Sequence, residues 1–287
     1  MTLNKPKIAF FGTPDIAVIV LEELKKADII PNLIVTAPDK PKGRKLVMTP
    51  LPVKVWAFKN NIIVIQPKKL DDNVLNMLNK GNYDLFIVAS YGKILKKELI
   101  EIPKYKTINM HPSLLPKLRG ASPIISAILQ NEKKTGITIM LIDEGMDSGP
   151  ILKQKVIDFS DKDSQWPLKA SVLGKILATE GGKMLTEIIP KWIAGEIKPE
   201  TQDHKKATFT QKIKKEDGLI NLEDEPYKNL LKIRAFEEWP TAYFFTIKNN
   251  KKIRVKITDA IIENDKLKIK KVIPEGKKQM DYEDFLR

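Results

Sequence analysis

Short apolar runs alternate with amphipathic segments through the first two thirds of the chain. The runs are rich in β-branched residues, as buried strands are, and they cover residues 7–11, 33–37, 62–65, 85–89, 107–109, 136–142 and 151–157. Apolar positions at helical spacing occupy most of the intervals. Alternation of strands and helices is typical of an α/β fold with a mostly parallel, Rossmann-like sheet.

The last third of the chain changes to a period of two. A helix-like segment at 227–235 is followed by alternating strands at 242–247, 253–259 and 266–272. These strands predict a second, smaller β-barrel domain. Residues 195–206 are polar and lack periodicity, so we interpret them as a linker between domains at 1–194 and 207–287.

Glycine positions refine the prediction for the sheet domain. The turn after the first strand, Gly12-Thr13-Pro14, contains a single glycine, whereas a dinucleotide fingerprint needs G-x-G-x-x-G. A nicotinamide-dependent enzyme is therefore disfavoured. The pair Gly181-Gly182 is expected to interrupt a long helix predicted over residues 164–194.

The net charge favours a polyanionic partner without identifying one. Fifty Lys and Arg residues oppose 36 Asp and Glu, which gives +14, and residues 241–280 hold 11 basic against 4 acidic residues. A biased genome would produce the same excess, so composition alone leaves nucleic acid at even odds. A basic loop such as the one at 38–45 is usually only a solvated surface.

Composition also excludes several classes of protein. No apolar run approaches the roughly 20 residues of a membrane span, and no signal-peptide core follows the N-terminus, so we expect a cytoplasmic protein that does not enter membranes. There is no cysteine, which removes disulfides, thiolate nucleophiles and cysteine-ligated zinc. With only two histidines in 287 residues, we expect no catalytic metal.

One stretch concentrates chemistry-bearing residues at a predicted strand end. Asn109 and His111 are two apart, so they project to the same side of an extended chain, at the edge where α/β sheets bind ligands. Asp147 lies on the glycine-rich loop 143–150 and would favour the charged form of His111. Singly, each residue is compatible with packing or turn formation; together they suit stabilisation of an oxyanion.

A covalent nucleophile is not expected at this site. The chain has no cysteine and no G-x-S-x-G elbow, and Ser113 is followed by Leu-Leu-Pro rather than a glycine turn. The expected reaction is direct attack of a substrate nucleophile on an acyl carbonyl.

The stretch Asn-Met-His-Pro-Ser-Leu-Leu-Pro at 109–116, with Asp147 downstream, resembles the formyltransferases that use 10-formyltetrahydrofolate. Three further segments are similar to the methionyl-tRNA formyltransferase branch of that family: Phe-Phe-Gly-Thr-Pro-Asp at 10–15, Pro-Asp-Lys-Pro at 38–41, and Arg-Gly-Ala-Ser-Pro-Ile at 119–124. The similarity continues through 208–210, 233–236 and 276–280, and so extends over nearly the whole chain.

The resemblance implies formyl transfer from 10-formyltetrahydrofolate to methionyl initiator tRNA, with no metal, by a monomer. Asn109 and His111 would stabilise the oxyanion, and Asp147 would hold His111. The residues implied to bind the folate are Ser90, Tyr91, Gly92, Ser113, Leu114, Leu115, Pro116, Asp143 and Glu144. Those implied to contact tRNA are Lys40, Lys42, Arg44 and Lys45. The C-terminal barrel, OB-like in the family, would bind the phosphate backbone.

Three competing functions remain open at this point. A folate-dependent formyltransferase could act on another amine, glycinamide ribonucleotide or an amino sugar nucleotide, although the basic loop and the barrel argue against this. A formyltetrahydrofolate hydrolase would use water in place of the amine. An RNA-binding protein with the sheet as a scaffold would have no physical need for Asn109, His111 and Asp147 together.

Overall fold

The computed structural model describes residues 5–42, 46–161, 165–248 and 250–287. Its first ten strands are β1 (Ile8–Gly12), β2 (Leu33–Val35), β3 (Lys40–Lys42), β4 (Val47–Thr49), β5 (Ile63–Ile65), β6 (Leu85–Ala89), β7 (Thr107–His111), β8 (Arg119–Gly120), β9 (Lys134–Leu141) and β10 (Ile151–Asp158). The helices among them and after them are α1 (Asp15–Lys26), α2 (Pro52–Lys59), α3 (Asp72–Lys80), α4 (Lys97–Ile100), α5 (Pro123–Leu129) and α6 (Ala170–Ile193).

The remaining elements lie in the last third of the chain. They are β11 (Phe209–Thr210), α7 (Pro226–Ala235), β12 (Tyr243–Lys248), β13 (Lys251–Glu263), β14 (Lys266–Pro274), β15 (Met280–Asp281) and α8 (Tyr282–Leu286), with 3-10 turns at His204–Lys206 and Lys215–Gly218. A long helix and short strands thus occur where the periodicity predicts them.

The central sheet has seven strands in the order β10-β9-β7-β6-β1-β2-β5. The run β5-β2-β1-β6-β7 is parallel throughout, and β9 joins it antiparallel to β7. Every residue of β1 and β6 is buried, which explains why these strands read as continuous apolar runs rather than as an alternating pattern. The predicted α/β class with a mostly parallel sheet and a second, smaller β domain is confirmed, and the strands of that second domain are antiparallel.

The single glycine of the first turn lets β1 and α1 approach each other. A Cβ atom at Gly12 would lie 2.6 Å from the Phe10 ring, 2.8 Å from the Ala17 Cβ atom and 2.9 Å from the Ala89 carbonyl oxygen. Gly12 therefore serves close helix–strand packing, which is one of the roles that glycine has in nucleotide-binding folds.

Gly12→Ala is expected to lower the free energy of unfolding by roughly 1–3 kcal/mol, because the added methyl group overpacks a rigid contact. Urea denaturation measures this change. The sign of the change in free energy of unfolding shows whether the clash exists. Without a clash the same substitution would raise that free energy by roughly 0.4–1 kcal/mol, because alanine restricts the unfolded chain. Unchanged or increased stability would contradict the contact.

The pair Gly181-Gly182 does not interrupt α6, contrary to the expectation from sequence. The helix is continuous, and each glycine allows a close neighbour: a Cβ atom at Gly181 would lie 2.3 Å from the Met110 sulfur, and one at Gly182 would lie 2.6 Å from the Glu23 Cβ atom. Packing against the sheet and α1 outweighs the weak helix propensity of glycine.

The described residues form two compact units. The first contains Met1–Arg119, Gly136–Val156 and Lys175–Thr208, and the second contains Gly120–Thr135, Ile157–Gly174 and Phe209–Arg287. In the second unit, β12-β13-β14-β15 form an antiparallel sheet in that order, with a core that includes Phe244, Val255 and Ile257. The domain boundaries at 194 and 207 stay a prediction.

No helix of the described chain is long and apolar enough to cross a membrane.

Candidate active site

The strand β7 delivers Asn109 and His111 to one edge of the parallel sheet. It runs two residues further than the β-branched pattern predicts, because His111 still pairs with Thr138 of β9. Asn109 is half-buried, and within the described residues its side-chain amide makes no hydrogen bond. His111 is only 4% exposed. The site thus combines an uncommitted amide with a buried imidazole.

The environment of the His111 ring fixes one of its protons. Its Nε2 atom lies 3.0 Å from the Leu118 carbonyl oxygen, which can only accept, so Nε2 carries a hydrogen. Its Nδ1 atom lies 3.6 Å from Asp147 Oδ1, beyond hydrogen-bond range but within that of an ion pair. Only the charged ring donates at both nitrogens, and the Asp147 carboxylate faces the nitrogen that would take the second proton.

The loop from β9 to β10 presents Asp147 in a constrained conformation. Asp143 Oδ1 accepts hydrogen bonds from the Gly145 N–H group at 3.1 Å and from the Ser148 hydroxyl at 2.7 Å. Asp147 has φ +47°, in the left-handed region that Asp and Asn tolerate better than most residues. Its backbone carbonyl accepts a hydrogen bond from Gln202 Nε2 at 2.9 Å. Gln202 is a site residue that the sequence analysis does not single out.

The segment at 113–116 is tied down by its own hydrogen bonds. The fully buried Ser113 hydroxyl donates to the Lys117 carbonyl at 2.7 Å, and Thr138 Oγ1 donates to the Ser113 carbonyl at 2.7 Å. Thr138 Oγ1 also accepts from the Leu115 N–H group, and Gln154 Nε2 donates to the Leu115 carbonyl. The Ser113 hydroxyl is therefore committed to the fold, and this segment forms a rigid wall.

Two other groups of predicted folate-binding residues border the same strand ends. Ser90, Tyr91 and Gly92 directly follow β6, with Ser90 and Gly92 at positive φ. Tyr91 is 4% exposed, and within the described part of the chain its hydroxyl has no hydrogen-bond partner. Burial raises the pKa of Tyr91 to about 12, so this hydroxyl is a neutral donor at pH 7. Glu144 forms an ion pair with Lys97 at 2.8 Å.

The basic loop of the sheet unit is partly described. Lys40 and Lys42 belong to β3, which pairs with β4 in a two-stranded ribbon, and the Lys40 side chain is exposed. Arg44 and Lys45 lie outside the described residues. The ribbon also exposes apolar side chains: Leu46 is 70% exposed, and Val47 and Met48 are each 59% exposed.

The second unit carries a surface of rings and cations that we call the aromatic–basic face. It is formed by residues opposite one another in the β12–β13 pairing, Tyr243 with Lys256, Phe245 with Arg254 and Ile247 with Lys252. Lys252 Nζ lies 4.8 Å from the centre of the Phe245 ring, and the Arg254 guanidinium lies 5.5 Å from that of Tyr243. Phe245 is 46% exposed and Ile247 is 76% exposed. Such a face suits a phosphate backbone with unstacked bases.

Comparison with known proteins identifies the family. Residues 6–186 match the family described as Formyl transferase, and residues 212–268 match its C-terminal domain. The chain is 38% identical to methionyl-tRNA formyltransferase of Bacillus subtilis, over 98% of this chain and 94% of the relative. It is 41% identical to methionyl-tRNA formyltransferase of Sulfurihydrogenibium sp., over 83% of this chain and 75% of the relative.

Solved structures share the fold. The methionyl-tRNA formyltransferase of Clostridium thermocellum superimposes with a TM-score of 0.61 at 19% identity, covering 94% of this chain and 98% of that one. The Helicobacter canadensis N-formyltransferase, solved with folinic acid and dTDP-3-aminofucose, gives 0.65 at 23% identity, covering 90% and 88%. On its sequence relatives and its two matched domains, the chain belongs to the methionyl-tRNA formyltransferase family.

Proposed function

We propose that this protein transfers the formyl group of 10-formyltetrahydrofolate to the amino group of methionine on initiator tRNA. In this reaction the amine nitrogen bonds to the formyl carbon, the bond from that carbon to the folate N10 breaks, and one proton passes from the amine to N10. The observation that carries the proposal is the meeting of His111 and Asp147 at the strand end that holds Asn109.

Asn109 and His111 supply the donors that this chemistry needs. Negative charge develops on the formyl oxygen as the amine attacks, and preorganised donors in a dry site are worth on the order of 3 kcal/mol each. The Asn109 amide has no competing partner within the described chain. The 3.6 Å separation between His111 Nδ1 and Asp147 Oδ1 is longer than a hydrogen bond, so a hydrogen on Nδ1 is not tied to the carboxylate and could be shared with a substrate oxygen beside it.

Asp147 has the complementary role of holding its carboxylate beside His111 Nδ1, at 3.6 Å. There it is positioned to receive a proton released during transfer. Its side chain is 21% exposed, more open than the histidine, so it lies on the side of the pair nearer to solvent. One chain supplies all three residues, so we expect a monomer to be sufficient.

The folate donor fits the surroundings of this trio. Leu114 and Pro116 are half-buried on the rigid wall and would contact its ring system, while Tyr91 would border the pocket from the end of β6. Ser90, Gly92, Asp143 and Glu144 would border the same pocket. The proposed chemistry requires no metal.

The tRNA would be bound through cations of both units. Lys40 and Lys42, with Arg44 and Lys45, would contact the acceptor end, and the aromatic–basic face would contact the phosphate backbone. A charged tRNA as substrate places the proposed reaction in the cytoplasm.

Replacing Lys252 and Arg254 together with glutamine is expected to weaken tRNA binding without changing kcat. If both contact phosphates, the slope of log Kd against log salt concentration falls by roughly 2. Filter binding across a salt series measures this slope. Lys268→Gln on the same sheet is the matched control, because Glu263 already pairs with Lys268 at 2.5 Å. An equal change in the control would contradict a role for the face.

The test of function compares possible acceptors in separate incubations. The protein is incubated with 10-formyltetrahydrofolate and methionyl initiator tRNA, and separately with glycinamide ribonucleotide, a dTDP-amino sugar, or no acceptor. Formyl-methionine is expected to form only with the tRNA. Formylation of a small amine instead would support the alternative class, and release of formate without an acceptor would identify a hydrolase.

A further inference from the structure

A buried arginine, which follows the Leu118 that binds the His111 ring, has an unusual main partner. Arg119 is 4% exposed, and both its Nε and Nη2 atoms donate to the side-chain oxygen of Gln202, at 3.2 and 2.6 Å. Its Nη2 atom also lies 3.2 Å from His204 Nδ1. Burying a guanidinium group destabilises the fold unless its N–H groups have good hydrogen-bond acceptors. A neutral amide oxygen compensates the buried charge less than a carboxylate would. The pairing of Arg119 with Gln202 therefore indicates a role other than stabilising the fold.

Both the oxygen and the nitrogen of the Gln202 side-chain amide make hydrogen bonds, and these fix the orientation of the amide. Arginine only donates, so Oε1 must face Arg119, and Nε2 then faces two carbonyl oxygens that only accept. Nε2 donates to the Asp147 carbonyl at 2.9 Å and to the Gly149 carbonyl at 2.7 Å. Gln202 is 3% exposed, so its side chain rather than solvent provides the donor for these two carbonyl oxygens.

The backbone around these residues ties both sides of His111 together. Glu200 and Ile151 exchange two backbone hydrogen bonds, at 2.7 and 2.8 Å, beside the Asp147 loop. Thr208 accepts from the Leu118 N–H group at its hydroxyl and from the Arg119 N–H group at its carbonyl. Leu118 in turn supplies the carbonyl that binds His111 Nε2. Residues 200–208 therefore brace the segments that face both ring nitrogens.

We propose that Arg119 and Gln202 are positioning residues that hold the Asp147 carboxylate at His111 Nδ1. Gln202 donates to the backbone carbonyl of Asp147 itself, and so fixes the peptide that carries the carboxylate. Arg119 prevents the amide from turning over, which would place its oxygen against the two carbonyls. The consequence for kcat rests on the proposed function, whereas the consequence for the histidine ring does not.

We call the hydrogen-bonded pair of Arg119 and Gln202 the clamp. The substitution Gln202→Glu tests it with little change in side-chain shape. Arg119 gains a carboxylate partner, so folding is preserved, but an oxygen replaces the donor that faced the Asp147 and Gly149 carbonyls. We expect kcat to fall roughly 10- to 100-fold, as when residues that orient catalytic groups are replaced, with both KM values within about twofold. In an Asp147→Asn background the same substitution is expected to cause no further loss, because Gln202 acts through Asp147. Gln130→Glu, an exposed glutamine at the end of α5, is the matched control.

A spectroscopic readout separates this proposal from the activity. The chain has two histidines, so ring ¹⁵N–¹H spectra of the protein and of His204→Gln assign the signals of His111. The His111 signals of Gln202→Glu are expected to shift toward those of Asp147→Asn, whereas those of Gln130→Glu stay in place. If Gln202→Glu does not fold, Arg119→Lys, which lacks the planar fork, is expected to shift them in the same direction.

Unshifted His111 signals in a folded clamp variant would overturn the positioning role, even if tRNA formylation is found. Shifted signals in a protein that formylates no tRNA would support the clamp while refuting the proposed function.

Discussion

His111→Ala is expected to lower kcat by about 10²–10³-fold, the effect of removing one preorganised oxyanion donor. The ring is buried, its Nε2 atom is held by the Leu118 carbonyl, and its Nδ1 atom faces Asp147 across 3.6 Å, where a substrate oxygen would share it. The affinity for tRNA should change less than about twofold, because the cations proposed to bind phosphate lie elsewhere in the chain. Single-turnover formylation and filter binding measure the two quantities separately.

His111→Gln provides the graded control for that experiment. A glutamine amide restores a donor but not the imidazole that meets Asp147, so its rate should fall between those of the protein and His111→Ala. If His111→Ala keeps most of the original rate, His111 does not stabilise the oxyanion, whereas a full rate in His111→Gln alone would show that a neutral donor is sufficient. A parallel loss of tRNA affinity would show that the substitution disturbs binding instead.

The parallel sheet is predictable because burial on both faces leaves a strong signal in the sequence. The strands β1 and β6 consist of apolar or small residues that are all buried, and no polar positions obscure them. The continuity of α6 is not predictable in the same way. Gly181 fits there because of the Met110 side chain, a contact between residues 71 apart that a local pattern does not record.

The same division applies to the candidate site. Asn109, His111 and Asp147 stand out because their positions follow from a strand end and the loop after the next strand. Gln202 lies in a polar stretch that we interpreted as a linker, and its partner Arg119 is 83 residues away. Their role depends on a tertiary meeting of two irregular segments. The Ser113 hydroxyl is the converse case. The sequence motif makes it a candidate for binding the folate, but in the structure it donates to the Lys117 carbonyl.

Asp147→Asn is expected to lower kcat roughly 10²-fold or more, because it removes the carboxylate that faces His111 Nδ1 and is positioned to take a proton during transfer. Stability to urea should be unchanged, because asparagine tolerates φ +47° as well as aspartate does. Asp28→Asn is the matched control, at an exposed aspartate with φ +59°. A full rate for Asp147→Asn would show that the reaction does not need a carboxylate at His111 Nδ1, whereas a rate lost together with stability would show that Asp147 serves the loop rather than proton transfer.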